Sequence, residues 1–187
     1  MKHTFLAAVI ASGLLLAMPP ANAGIITFTA NLSGANEVPP NGSPATGTAD
    51  LTLDDVADTL LVSLTFSGLT APDTAGHIHC CAAAGTNSAV QIPFTGVPGF
   101  PVGVTSGTFS HTFDLNTDIT GGLTTAAFIT GLESAQAYVN IHNANFPGGE
   151  IRGQIEEVTP EPASAGLLLF GLMLTAMCGR RFRPVAR

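Results

Sequence analysis

Between residues 24 and 158 the chain consists of short runs in which apolar and polar residues alternate, separated by clusters of Gly, Pro, Asn and Asp. Successive side chains of a β-strand point to opposite faces, so this pattern predicts strands with one buried and one solvated face. The runs lie at 25–32, 47–53, 59–66, 77–79, 107–115, 126–130, 137–142 and 150–155. Their number and spacing favour one all-β domain built as an antiparallel sandwich or barrel.

The sequence of this domain contains a weak internal repeat. The motif Gly-Thr-x-x-x-Thr, followed by Leu or Phe and then Asp, occurs at 47–54 and again at 107–114. Each copy precedes a strand that ends in histidine, at 77–79 and at 140–142, so the order recurs about sixty residues on. A duplicated strand unit with its two halves facing each other would explain the pattern.

The N-terminus has the layout of a secretory signal peptide. Lys2 and His3 precede a mostly apolar run over 5–18, and Ala21-Asn22-Ala23 supplies an Ala-x-Ala cleavage site. We expect cleavage by signal peptidase after Ala23, which makes 1–23 the signal peptide and 24–158 the β-domain. The alternative is a membrane anchor, for which the run is short.

The C-terminus, residues 159–187, contains an uncharged stretch over 163–179 that predicts a single apolar helix about 25 Å long. Pro160-Glu161-Pro162 precedes the stretch and four arginines follow it, which orients the domain outside the membrane. These features resemble the PEP-CTERM sorting signal of Gram-negative bacteria. The resemblance implies recognition and cleavage by an exosortase and transfer to the outer surface or its exopolysaccharide. A permanent single-span anchor is the alternative.

The charge of the domain differs from that of the whole chain. Five of the six basic residues lie in the two ends, which leaves Arg152 as the only lysine or arginine of the domain. Nucleic acid is therefore excluded as a partner, because phosphate contacts need Lys and Arg. Cations or a charged matrix remain open, although acidity also keeps exported proteins soluble. Arg152 is expected to pair with Glu37 or Glu150.

Three histidines form the candidate site. In a strand at 77–79, His77 and His79 share one face, and at 138–142 His142 shares a face with Tyr138 and Asn140. Three imidazoles from two strands suit copper or zinc and leave a position for water or substrate. Alternatively, the rings donate hydrogen bonds to loop backbone and carboxylates without any metal.

Further polar residues are expected around these histidines. In the strand at 150–155 the two isoleucines face one way, so Glu150 and Arg152 should lie on the polar face with Asn140. We expect these residues and Glu37 to support the site or stabilise loops. His111 is a weaker candidate, because it shares a face with two phenylalanines and suits a semi-buried role.

The Cys80-Cys81 pair directly follows the histidines. In an oxidising compartment the pair has no other partner in the domain, so a vicinal disulfide is favoured. A thiolate that joins the metal site and two inert thiols are the alternatives.

Four motifs of the domain resemble the CHRD domain, named for its occurrence in chordin. They lie at 32–40, 76–79, 138–142 and 148–155. The resemblance implies an extracellular β-domain, which in chordin belongs to a binding protein. The histidines are also similar to the copper ligands of copper/zinc superoxide dismutase, although the zinc-site residues and the bridging histidine have no counterparts.

These observations favour an exported binding or structural module without catalysis, whose partner would be surface polysaccharide or another surface protein. The alternative is a mononuclear copper or zinc protein with superoxide-dismutase-like chemistry at His77, His79 and His142. A calcium-dependent adhesin ranks last, because the sequence contains no EF-hand loop. Catalytic serine triads, phosphate loops and nucleotide motifs are also absent from the domain.

Overall fold

The computed structural model describes residues 24–159. The predicted signal peptide, the Pro160-Glu161-Pro162 motif and the predicted apolar helix lie outside the described residues. Within the described range, no helix is long and apolar enough to cross a membrane.

Nine antiparallel strands form a single sheet that curls into a half-barrel, which confirms the predicted all-β class. The strands are β1 (Ile25–Ser33), β2 (Thr46–Asp54), β3 (Thr59–Ser67), β4 (Asp73–His79), β5 (Val90–Pro93), β6 (Gly107–Asp114), β7 (Tyr138–Asn143), β8 (Ile151–Gln154) and β9 (Glu156–Glu157). Their order across the sheet is β5-β4-β7-β8-β1-β2-β3-β6, and β9 pairs with β1. One helix, α1 (Thr125–Glu133), precedes β7, and a short 3₁₀ turn at Gly34–Asn36 follows β1.

Strict alternation builds the core from β1, β2, β3 and β6. Apart from Ile25, Ile26 and Leu61, their apolar residues are buried, while most residues between them, largely Thr and Ser, are partly or fully exposed. After β5 the chain adds Phe94 and Phe100, whose rings each lie 5.3 Å from that of Phe109 on β6. These aromatic contacts join the two edges of the curled sheet through side chains.

Two predictions about the strands are wrong: the strand at 126–130 and the duplicated strand unit. The run at 126–130 lies in helix α1, because Thr124 caps the helix by accepting a hydrogen bond from the Ala127 N–H, and Phe128 and Leu132 bury one helical face. The second copy of the proposed repeat therefore has a helix where the first has β3, so the strand unit is not duplicated. Strand β5 was also missed, because its four residues are too few to show a period.

Candidate metal centre

Strands β4 and β7 are hydrogen-bonded neighbours, and their register brings the three histidines together. His77 lies opposite Asn140, His79 opposite Tyr138, and Ala75 opposite His142. The ring centroids are 4.9 Å apart for His77 and His142, 5.6 Å for His77 and His79, and 6.3 Å for His79 and His142. The predicted placement of the three imidazoles on one face of two strands is therefore observed.

One nitrogen of each ring is buried and has no hydrogen-bond partner: His77 Nδ1, His79 Nε2 and His142 Nε2. Each histidine offers one ligand atom, and these atoms lie within 4.8 Å of one another. Metal–nitrogen bonds of ~2.0 Å require ligand nitrogens roughly 3.5 Å apart, so closing the triad takes a movement of about 1 Å. Among the described residues, no other group of three His, Cys, Asp or Glu is arranged in this way.

The second nitrogens of two rings hold these histidines in a ligating tautomer. His79 Nδ1 donates to the Ser88 carbonyl at 2.9 Å, and His142 Nδ1 donates to the Pro147 carbonyl at 3.0 Å. A carbonyl can only accept, so Nδ1 carries the proton and Nε2 presents a lone pair. The metal-free interpretation accounts for these two bonds and leaves the buried Nε2 atoms unexplained.

Burial keeps all three rings neutral. It lowers the pKa of His77 to about 4, with smaller contributions from the charges of His142 and His79. Burial likewise lowers the pKa of His79 and of His142, against the opposing effect of their hydrogen bonds to carbonyls. Neutral imidazole is the form that binds a metal ion, so the triad is ready to do so at neutral pH.

An aromatic stack covers one side of His79. The Tyr138 ring lies parallel to the imidazole with centroids 4.6 Å apart, and the Arg152 guanidinium carbon lies 3.4 Å from the Tyr138 centroid. Arg152 donates to Asn87 Oδ1 and to the Thr86 carbonyl, each at 3.0 Å. The predicted pairing of Arg152 with a carboxylate is replaced by a cation–π contact and hydrogen bonds to the loop that carries the His79 acceptor.

Glu37 reaches the polar face of β7 from the loop after the 3₁₀ turn. Its Oε1 accepts a hydrogen bond from Asn140 Nδ2 at 2.6 Å, and its side chain is buried. Burial raises the pKa of Glu37 to about 7, although the Arg152 charge and the Asn140 bond lower it. The backbone of Gly149 packs directly against this pair, and a Cβ at Gly149 would overlap both side chains. Glu37 and Asn140 therefore form a buried polar pair beside the histidines, a pairing that the sequence did not predict.

Glu150 does not lie on the histidine face, contrary to the prediction. Strand β8 begins one residue later, at Ile151, and the Glu150 carboxylate accepts bonds from Ser43 Oγ, the Thr70 N–H and Asn143 Nδ2. Because Asn143 follows His142 in β7, its side chain points to the opposite face. Glu150 therefore connects the loops that carry Ser43 and Thr70 to the end of β7.

The cysteines and His111 stand apart from the triad. Cys80 and Cys81 are joined as a vicinal disulfide, and Gly131 of α1 packs directly against both sulfur atoms. His111 is partly buried on β6, with its ring 4.8 Å from that of Phe113. The sequence did not reveal the role of Ser88 and Pro147, because a backbone carbonyl carries no side-chain signature.

Comparison with protein families matches residues 28–155 to the CHRD domain, which is more than half of the chain. The four motifs noted in the sequence fall within or overlap this range. No curated protein matches the chain.

Proposed function

Since the chain belongs to the CHRD domain family, which indicates an extracellular binding or structural module, we propose that it is an exported binding protein that holds one copper or zinc ion. The ligands would be His77, His79 and His142. The observation that carries the proposal is the convergence of three buried ring nitrogens without hydrogen-bond partners. A buried unpaired polar group costs about 1–3 kcal/mol, and a bound metal would offset that cost at all three atoms.

Metal analysis of the full-length purified protein tests this proposal. We expect about one equivalent of bound metal per chain after dialysis against copper or zinc, because the three histidines form a single site. The double variant His79→Ala/His142→Ala should lose the metal, whereas His111→Ala, which removes a histidine outside the triad, should keep it. Equal metal content in the double variant and the His111→Ala control would refute the proposal.

The proposal is limited to binding. Superoxide chemistry requires a coordination position that the substrate can reach, and the zinc-site residues and bridging histidine of superoxide dismutase have no counterparts in the sequence. For this reason, binding is the function that the geometry supports best.

Export and surface location complete the proposal and rest on the two ends of the sequence. The mature protein is expected to begin at Gly24 and to be cleaved near Pro160-Glu161-Pro162 by an exosortase, releasing it to the outer surface of a Gram-negative bacterium or its polysaccharide. Intact-mass measurement of the protein from the cell surface tests both cleavages. A chain that keeps residues 163–179 would instead favour a permanent anchor.

A further inference from the structure

The number of ligands at the histidine centre restricts which ion fits. Zinc sites in proteins are almost always four-coordinate, with either a fourth protein ligand or a water. In the described residues the cluster contains three ligand residues only. The centre is therefore built for an ion that accepts three nitrogens.

The charges around the centre restrict its oxidation state. The groups that face it are neutral: the three imidazoles, the Tyr138 ring and the Asn140 amide. Arg152 adds a positive charge behind Tyr138. The nearest carboxyl in this network, Glu37, bonds Asn140 rather than a histidine. No anion on these contacting groups is placed to neutralise a cation at the centre.

Ion burial costs energy in proportion to the square of the charge, so a divalent ion costs about four times as much as a monovalent one in the same site. Zinc and divalent copper usually recover that cost from anionic ligands or water, and divalent copper also prefers a tetragonal arrangement of four ligands. Monovalent copper has a filled d shell and imposes neither requirement. It needs only the three nitrogens that the site presents.

We propose that the centre takes monovalent copper as a three-coordinate ion, in preference to zinc and divalent copper. This inference rests on the proposed function and narrows it from copper or zinc to a single charge state. The Asn140 amide oxygen is buried and has no hydrogen-bond partner, so the residue beside His77 contributes a neutral dipole where a divalent site would need a carboxylate.

Competition titrations of the full-length protein test the preference. Monovalent copper is supplied without oxygen and competed against a colorimetric copper(I) chelator, and zinc is competed against a fluorescent zinc chelator. We expect monovalent copper to bind at least about 100-fold more tightly than zinc, because a divalent ion has the larger burial cost. X-ray absorption should show copper with three nitrogen neighbours.

The outcomes separate this inference from the proposed function. Zinc or divalent copper bound as tightly as monovalent copper, with loss of binding in His79→Ala/His142→Ala, overturns the charge preference and leaves the metal site standing. Failure to bind any of the three ions overturns both proposals.

One substitution tests the electrostatic reason directly. In a Glu37→Gln background, which removes the carboxyl that bonds residue 140, Asn140→Asp replaces the neutral amide beside His77 with a carboxyl of the same size, and we expect the zinc-to-copper(I) affinity ratio to rise at least about tenfold. Asn116→Asp, at an exposed position bonded to Asp58, adds the same charge elsewhere and should leave the ratio unchanged. An Asn140→Asp protein that binds metal with the original ratio would contradict the electrostatic argument.

Discussion

Replacing Glu37 with glutamine should remove a pH-dependent cost of folding. The carboxyl is 6% exposed, and burial raises its pKa from 4.5 to about 7. Between these two values the folded protein holds a proton that the unfolded chain has already lost. The free energy of unfolding therefore falls as pH rises through this window, and the whole cost is present above pH 7.

The magnitude follows from the width of the window. At 1.36 kcal/mol for each pH unit, the interval from 4.5 to about 7 corresponds to about 3 kcal/mol, which solvent screening reduces to about 2 kcal/mol. Glu37→Gln keeps the side-chain volume and the oxygen that accepts from Asn140, and it cannot ionise. At pH 8 the variant should be about 2 kcal/mol more stable than the natural protein, and the difference should vanish near pH 4.

Urea denaturation followed by circular dichroism between pH 4 and 8.5, with metal removed by a chelator, measures this difference. The histidines have lowered pKa values, so their contribution falls with decreasing pH in both proteins and cancels. Glu133→Gln, which removes an exposed carboxyl from the end of α1, controls for the loss of one charge. Parallel stability curves for the natural protein and Glu37→Gln would refute the reasoning.

Three further predictions concern the same face. Gly149→Ala should destabilise the fold by about 2 kcal/mol in urea denaturation, because its φ is +129° and a Cβ would overlap two buried side chains. Gly148→Ala, with open space around its Cβ, should stay within about 0.5 kcal/mol of the natural protein, and equal effects at both glycines would contradict the packing argument. Tyr138→Phe keeps the stack on His79 but removes the hydroxyl that accepts from the Ser88 N–H, so it should weaken metal binding by less than about 10-fold, whereas Tyr138→Leu should weaken it by about 10–100-fold in competition titrations. Equal affinities for the two variants would exclude a positioning role for the stack. Metal affinity should change little from pH 7.5 to 6.5, because burial lowers the pKa of all three rings, so a steep loss just below pH 7 would show that the rings are not neutral in the fold.

Much of the fold could be predicted because alternation is a local property. Strands β1, β2, β3 and β6 were predicted to within one residue of their observed ends, since each buries one face and exposes the other. The run at 126–130 failed for the opposite reason. A short apolar run fits a strand or a helix equally well, and only the Thr124 cap and the packing of α1 against the core decided for the helix.

The histidine set was also predictable, because period two places His77 and His79 on one face whatever the rest of the fold does. The contacts and the burial of that face could not be predicted. Five of the six residues of β7 are buried, on both sides of the sheet, whereas His142 on the polar face is only partly buried, as are His77 and His79 on β4. The sequence did not show that loop carbonyls of Ser88 and Pro147 would accept hydrogen bonds from the Nδ1 atoms of His79 and His142.

The sequence by itself determined most of the strands, the residues that share each face and the candidate ligands, since these follow from the two-residue repeat of the backbone. Only the tertiary structure decided what those residues contact. Glu37 meets Asn140 across 103 positions of the chain, and Arg152 meets Asn87 across 65. Contacts between segments so distant in sequence depend on how the sheet curls and where the loops fold back, which no local pattern encodes.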